Sequence, residues 1–204
     1  LFYKIIHPFP FPGSSDYWEK RYLNSGNSGN GSYGKLAIFK AEIINEFVKN
    51  NNIDTVIELG CGDGNQLKFA QYKEYKGIDI SKTAILNCRQ LFKNDPSKKF
   101  YLDSEYKEGK SKLSISLDVI YHLVEDDIFE KYMRKLFEFS SKYVLIYSSN
   151  YNSQQINHVR HRNFEDWINI NIPNAKQIHF IKNKFPYEED ILDGSVSDFY
   201  IYEI

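Results

Sequence analysis

The sequence predicts a single-domain α/β protein: a mainly parallel, seven-stranded sheet with helices on both faces and an antiparallel edge at its C-terminal end. Three observations predict it. Short β-branched apolar runs alternate with longer segments whose apolar residues recur every three or four positions. The first run ends in a cluster of glycines. The last two runs, near 178–181 and 199–204, follow one another as the arms of an antiparallel hairpin do.

Taken in order, residues 24–34 (Asn-Ser-Gly-Asn-Ser-Gly-Asn-Gly-Ser-Tyr-Gly) read as a flexible loop. Leu36, Phe39, Ile43 and Phe47 then share one face of a helix over 35–50. Thr55-Val56-Ile57-Glu58-Leu59 is a buried strand stopped by glycines, which open a helix over 65–71. A second strand at 75–80 leads into a helix from Ser81 with Ile85, Cys88 and Phe92 on one face, and a weaker strand ends near Leu102. The run 113–117 precedes a helix over 126–139 striped by Ile128, Tyr132, Leu136 and Phe139. A strand at 144–147, a helix over 164–170 and the two late strands complete the pattern.

Composition bounds the function. With 204 residues, 42% hydrophobic and 16% aromatic, the chain is long enough for one real core and lies far from the signature of disorder. Its 26 basic and 27 acidic residues give a net charge of -1, which supplies no long-range field for a phosphate backbone and disfavours a nucleic-acid partner. No run approaches the roughly 18 to 20 apolar residues of a membrane span, and the two cysteines, Cys61 and Cys88, fit a reducing compartment. A cytoplasmic protein with no membrane partner is the expectation. The five histidines include His7 and His179, which match no metal spacing, so no metal site is expected.

Glu58-Leu59-Gly60-Cys61-Gly62-Asp63-Gly64 sits at a strand-to-helix junction, where glycine lets the backbone turn tightly and approach a ligand. Twenty-one residues beyond Glu58, Asp79 ends the next strand beside that loop, and a carboxylate there can accept both hydroxyls of a ribose. The bland alternative is a turn followed by a helix-capping acid. A dinucleotide fingerprint starting at Gly60 needs glycine at position 65, where Asn65 stands, and no phosphate-binding P-loop motif occurs.

On these residues the sequence resembles the class I S-adenosylmethionine (SAM) dependent methyltransferases, whose first motif, acid-x-G-x-G-x-G, is met by Glu58, Gly60, Gly62 and Gly64. The resemblance runs over about 17–204 and implies a Rossmann-like methyltransferase fold, SAM as cofactor and S-adenosylhomocysteine (SAH) as product. It implies that Gly60, Cys61 and Gly62 line the methionine part, Glu58 orders the loop, Asp79 grips the ribose, Ile80 lies on the adenine and Asp103 faces its amino group. A solvated loop carboxylate is the alternative for Asp103. Leu117 would contact the cofactor and His122 would face the reaction side, as a general base or an ordinary half-buried histidine. Residues 1–34 are read as an N-terminal cap or lid, with Tyr22 near cofactor and Tyr33 near substrate, and 35–204 as the SAM-binding domain.

For the acceptor, His158-Val159-Arg160-His161-Arg162 gathers two of the five arginines and two of the five histidines. Guanidinium forks match phosphate or carboxylate, so Arg160 and Arg162 suggest a small anionic substrate, with His158 and His161 beside His122 as catalytic candidates. A solvated basic surface, or pairing with Glu165 and Asp166, is the alternative. The expectation is methyl transfer to a small anionic acceptor, oxygen before nitrogen, with size and short cap nearest the surface-glycan and natural-product branches. Two rivals stand beside it: a SAM-binding regulatory protein without turnover, and an NAD-linked oxidoreductase. The sequence leaves oligomeric state open.

Overall fold

The computed structural model describes residues 11–107, 109–188 and 194–204. His7 and the first ten residues of the expected cap lie outside them. Seven strands, β1 (Thr55–Leu59), β2 (Glu74–Asp79), β3 (Lys98–Leu102), β4 (Ser111–Leu117), β5 (Ser140–Ser148), β6 (Lys176–Ile181) and β7 (Asp198–Glu203), form one sheet in the order β3-β2-β1-β4-β5-β7-β6. The first five run parallel, and β7 is antiparallel to both β5 and β6. The expected hairpin therefore exists as a pairing, but β7 is inserted inside the sheet and β6 takes the edge. Four consecutive β-branched or aromatic residues let β7 pack on both faces, burying Phe199, Tyr200, Ile201 and Tyr202.

Five α-helices flank the sheet: α1 (Ser14–Leu23), α2 (Gly34–Asn50), α3 (Lys82–Leu91), α4 (Asp126–Glu138) and α5 (Phe164–Asn171). Alternation along β1 splits the core in two. Val56 joins Phe39, Ile44, Phe47, Tyr75, Ile85 and Phe100 on one face; Ile57 and Leu59 join Phe129, Met133, Leu136, Ile146 and Phe164 on the other. Fully burying side chains of this size contributes about 1.5–3 kcal/mol each. Caps fix two helix starts: the Ser81 hydroxyl accepts the Ala84 N–H at 3.0 Å and the Asn163 side chain the Asp166 N–H at 3.3 Å. Among the described residues no helix is long and apolar enough to cross a membrane.

Two elements differ from the pattern. The helix expected over 65–71 is a single 3-10 turn, Gln66–Phe69. The Asn45 side chain of α2 donates to the Phe69 carbonyl and accepts the Gln71 N–H, at 2.9 and 2.8 Å, which takes the backbone groups a longer helix would use. On α4 the buried stripe is Phe129, Met133, Leu136 and Phe137, so Ile128 and Tyr132 sit at its margin and Phe139 lies past the last turn.

Candidate functional site

Strand order reverses between β1 and β4, and the carboxyl ends of β1, β2 and β4 open there into a cleft of about 880 Å³, part of it in contact with solvent. The glycine loop forms its floor. Gly60 and Cys61 donate their N–H groups to the Ile78 carbonyl at 2.7 and 3.1 Å, bending the chain away from β1. Gly60 and Gly62 have φ of +80° and +56°, in the left-handed region that glycine enters without cost. A Cβ at Gly60 would lie 2.5 Å from Val119 Cγ2 across the cleft, and one at Gly62 would lie 2.3 Å from the Ser28 hydroxyl. Cys61 is buried beside Cys88, and the neighbouring thiol and burial push its pKa up, so it is an inert lining residue and no nucleophile.

Asp79 faces this loop from the end of β2. Its Oδ2 accepts the Gly62 N–H at 2.9 Å and its Oδ1 the Ser81 N–H at 2.8 Å, leaving each oxygen a lone pair for a ligand hydroxyl. Burial outweighs those two bonds and lifts its pKa to about 6. Ile80 (41% exposed), Asp103 and Leu117 also line the cleft. Asp103 is held at 2.7 Å through both oxygens by Lys135 of α4, with its side chain still 32% exposed.

Glu58 lies under the loop, hydrogen-bonded by the Tyr75 hydroxyl at 2.6 Å, and burial raises its pKa to about 7. A value raised on folding means that the proton stabilises the folded chain: the contribution is complete below the ordinary carboxylate value and is lost as pH rises through about 7. Glu58→Gln has no proton to lose. Its melting temperature relative to the unaltered protein is expected to move in the variant's favour by about 4 °C between about pH 5 and about pH 8, read by differential scanning calorimetry.

The N-terminal segment roofs the cleft. Ser14 N–H and hydroxyl bind Glu125 at 2.8 and 2.6 Å, and Glu19 accepts from the Ser81 and Thr83 hydroxyls at 2.6 Å each, fixing α1 across the ends of β2 and β4. Asp63 of the glycine loop then accepts from the Ser28 N–H and the Tyr33 hydroxyl at 2.9 and 2.8 Å. Tyr22 lines the cleft with its hydroxyl 3.0 Å from Ser28; Tyr33 does not line it, its hydroxyl being tied to Asp63.

On the opposite wall His122 edges Trp18, ring centroids 4.9 Å apart. Its Nδ1–H donates to the His158 carbonyl at 3.1 Å, which leaves Nε2 as an acceptor, and burial pulls its pKa down to about 4. The remaining acceptor-side candidates are not brought to the cleft. His158 is sandwiched between Tyr17 and His122 at 4.3 and 5.1 Å, and His161 stacks on Tyr151 with a ring nitrogen 2.6 Å from the Ser149 hydroxyl. Burial lowers both pKa values, so neither supplies a cation near neutrality.

Both arginines of the expected anion site are ion-paired. Arg162 gives its guanidinium to Asp126 at 2.6 Å and to the carbonyls of Leu123 and Val124 at 3.3 and 2.9 Å, over the Phe129 ring at 4.7 Å. Arg160 shares Asp126 at 3.1 Å and the Val124 carbonyl. These guanidiniums pin the loop before α4. Asp126, rather than Glu165 or Asp166, is their partner, because the loop after β5 folds back over the start of α4. Arg162→Ala strips donors from buried carbonyls and is expected to lose about 2–4 kcal/mol, a fall of roughly 5–12 °C in melting temperature by scanning calorimetry.

The sequence reading passed over Trp18, Asp63, Gln66, Asp118 and Tyr132, all in the cleft. Asp118 has φ of +59° and is bound by Lys40 of α2 at 2.8 Å. A lysine on the apolar face between Ala37 and Ile44 was the available signal, since a fully buried lysine needs a carboxylate. Among the described residues no group of three or more His, Cys, Asp or Glu is placed to hold a metal ion.

No protein-family model matches the chain, and neither does any curated protein sequence. Solved structures do. The N-methyltransferase NodS from Bradyrhizobium japonicum WM9 in complex with SAH is similar with a TM-score of 0.71 at 12% identity, over 94% of this chain and 98% of that one. Magnesium protoporphyrin IX methyltransferase (ChlM) from Synechocystis PCC 6803 with bound SAH gives 0.67 at 12% identity, over 93% and 97%. The methyltransferase domain of bacterial CtHen1-C gives 0.62 at 20% identity, over 83% and 99%. The chain has the Rossmann-like fold these methyltransferases share, along nearly their whole length.

Proposed function

We propose that the chain transfers a methyl group from SAM to a small-molecule acceptor. One observation carries the reading: Asp79, with a lone pair left on each oxygen, faces the Gly60–Gly62 cradle across one cleft at the point where strand order reverses. The residues fit the cofactor. Gly60 and Gly62 hold the left-handed φ and the close contacts with Val119 and Ser28 that a Cβ would not allow, which keeps the loop in the turn that floors the cleft, and Asp79 offers the paired acceptors a ribose diol needs. Gly60, Cys61 and Gly62 would hold the methionine part under Tyr22, Asp79 the ribose, and Ile80 and Asp103 the adenine, with Leu117 on the far side; Glu58 sets the loop. When bound, the sulfonium supplies an activated methyl group. NodS and ChlM, whose fold this chain shares, were crystallised with SAH, which supports the reading.

The chain's own contribution is placement and water exclusion. The cap, over residues 11–34, closes over the cofactor through Asp63, and the domain from 35 onward supplies the floor. His122 Nε2 accepts a hydrogen bond from the acceptor's O–H or N–H and takes its proton as the bond to carbon forms. His158 serves by fixing that tautomer through its carbonyl, while His161 has no role at the cleft. With Arg160 and Arg162 bound to Asp126, nothing on the cleft wall favours an anionic acceptor, and the preference for oxygen over nitrogen loses its basis. A small RNA methyltransferase, HEN1, also has this fold; the charge balance of -1 supports a small molecule over nucleic acid here.

Calorimetry with SAM, SAH and NAD side by side tests the reading. SAM and SAH are expected to bind in the micromolar range and NAD not at all; binding of NAD alone overturns it. SAH release across acceptor panels then separates an enzyme from a regulatory SAM-binding protein.

A further inference from the structure

Asp103 follows the last residue of β3, Asp79 ends the neighbouring β2, and both line the cleft. The Asp103 N–H donates to the Asp79 carbonyl at 2.9 Å, which ties the backbones of the two acids together. Their side chains are held differently. Backbone N–H groups of Gly62 and Ser81 fix the Asp79 carboxylate, whereas the Asp103 carboxylate has one partner among the described residues, Lys135 Nζ, 2.7 Å from both of its oxygens. A cation at equal distance from the two oxygens takes the lone pairs that face it and leaves an outward lone pair on each.

Lys135 crosses to β3 although its own helix offers an acid. On α4, Lys131 and Arg134 pair with Asp127 and Glu130, four residues back, and Glu138 stands three residues beyond Lys135. Tyr132, three residues before Lys135 and on the same face, sets the helix for that reach: its hydroxyl lies 2.8 Å from the Leu59 carbonyl and 2.7 Å from the Ser116 hydroxyl, at the ends of β1 and β4. With the Lys135 and Asp103 side chains 37% and 32% exposed, the ion pair adds little to stability. Its consequence is the orientation of the carboxylate.

We propose that Lys135 is a positioning residue for base recognition: it clamps Asp103 so that an outward lone pair accepts the exocyclic N–H of an adenine and faces the exocyclic oxygen of a hypoxanthine unfavourably. An unclamped carboxylate turns easily about its last torsion and adapts to either base. A fixed acceptor set against the wrong group leaves both unpaired, which is how hydrogen-bonding sites discriminate strongly. The inference rests on the reading of the cleft as a SAM site and assigns the residue that makes its base end selective.

Calorimetric titration of the full chain with three ligands tests it: SAH, S-inosylhomocysteine, which carries oxygen in place of the 6-amino group, and 2′-deoxy-SAH, which lacks one ribose hydroxyl. The unaltered chain is expected to bind SAH about tenfold or more tighter than either analogue. Lys135→Met is expected to shrink the preference over the inosine analogue to within about threefold, with the 2′-deoxy penalty unchanged and the melting temperature shifted by less than about 2 °C. Lys135→Arg, which keeps the cation, is expected to keep the preference. No preference in the unaltered chain, a preference that survives Lys135→Met, or loss of the 2′-deoxy penalty along with it overturns the role of Lys135, the last because it marks a general loosening of the cleft. Failure of SAH to bind the unaltered chain overturns the SAM reading itself.

Discussion

Asp79→Ala is expected to abolish SAM binding in calorimetry, a loss of at least about a hundredfold in affinity. The carboxylate has two jobs that cannot be separated. It accepts the Gly62 and Ser81 N–H groups at 2.9 and 2.8 Å, and so sets both the cradle and the start of α3; its remaining lone pairs are the ones a ribose diol would use. Alanine leaves two buried N–H donors unpaired, each costing about 1–3 kcal/mol, and removes the ligand's charged acceptor as well. The same group sets a pH dependence. Its pKa of about 6 means that the free protein protonates Asp79 as pH falls through 6, so SAM affinity is expected to fall there, whereas the stability owed to this group rises. An Asp79→Ala protein that keeps SAM affinity within threefold would remove the carboxylate from the site.

Gly60→Ala is expected to be the second severe change. The φ of +80° penalises any L side chain, and the new Cβ would lie 2.5 Å from Val119 Cγ2, so either the loop or the wall after β4 must move. Strain and overlap together cost about 2–4 kcal/mol, a fall of roughly 5–12 °C in melting temperature, with SAM affinity reduced more than tenfold because the loop that floors the cleft is displaced. Gly109→Ala is the control: its Cβ would meet nothing within 4 Å, and its melting temperature should stay within about 2 °C.

The parallel core of the sheet, the glycine loop and Asp79 were legible because each rests on local chemistry: an apolar run of β-branched residues, glycines where no Cβ fits, and an acid at a strand end. What was not legible shares one physical origin. Arg160 and Arg162 have Glu165 and Asp166 as their near acids in sequence, but their ion-pair partner is Asp126, 36 residues before Arg162, which they meet only once the loop after β5 crosses the start of α4. The helix expected after Gly64 fails for a similar reason, since Asn45 of α2 claims its backbone groups.

By itself, then, the sequence determined the fold class and the meeting of the glycine loop with Asp79 at one cleft, because these residues are neighbours within two successive strand-loop-helix units. Only the tertiary structure decided the surroundings of Asp118. Lys40, Ser197 and Gly31 come from three distant segments, and the one charge among them, on Lys40, is neutralised only because folding brings it 2.8 Å from Asp118. Charge pairing falls off with distance in space, not along the chain, so a basic-looking loop became a structural clamp and a buried lysine on a helix face became the support of a carboxylate.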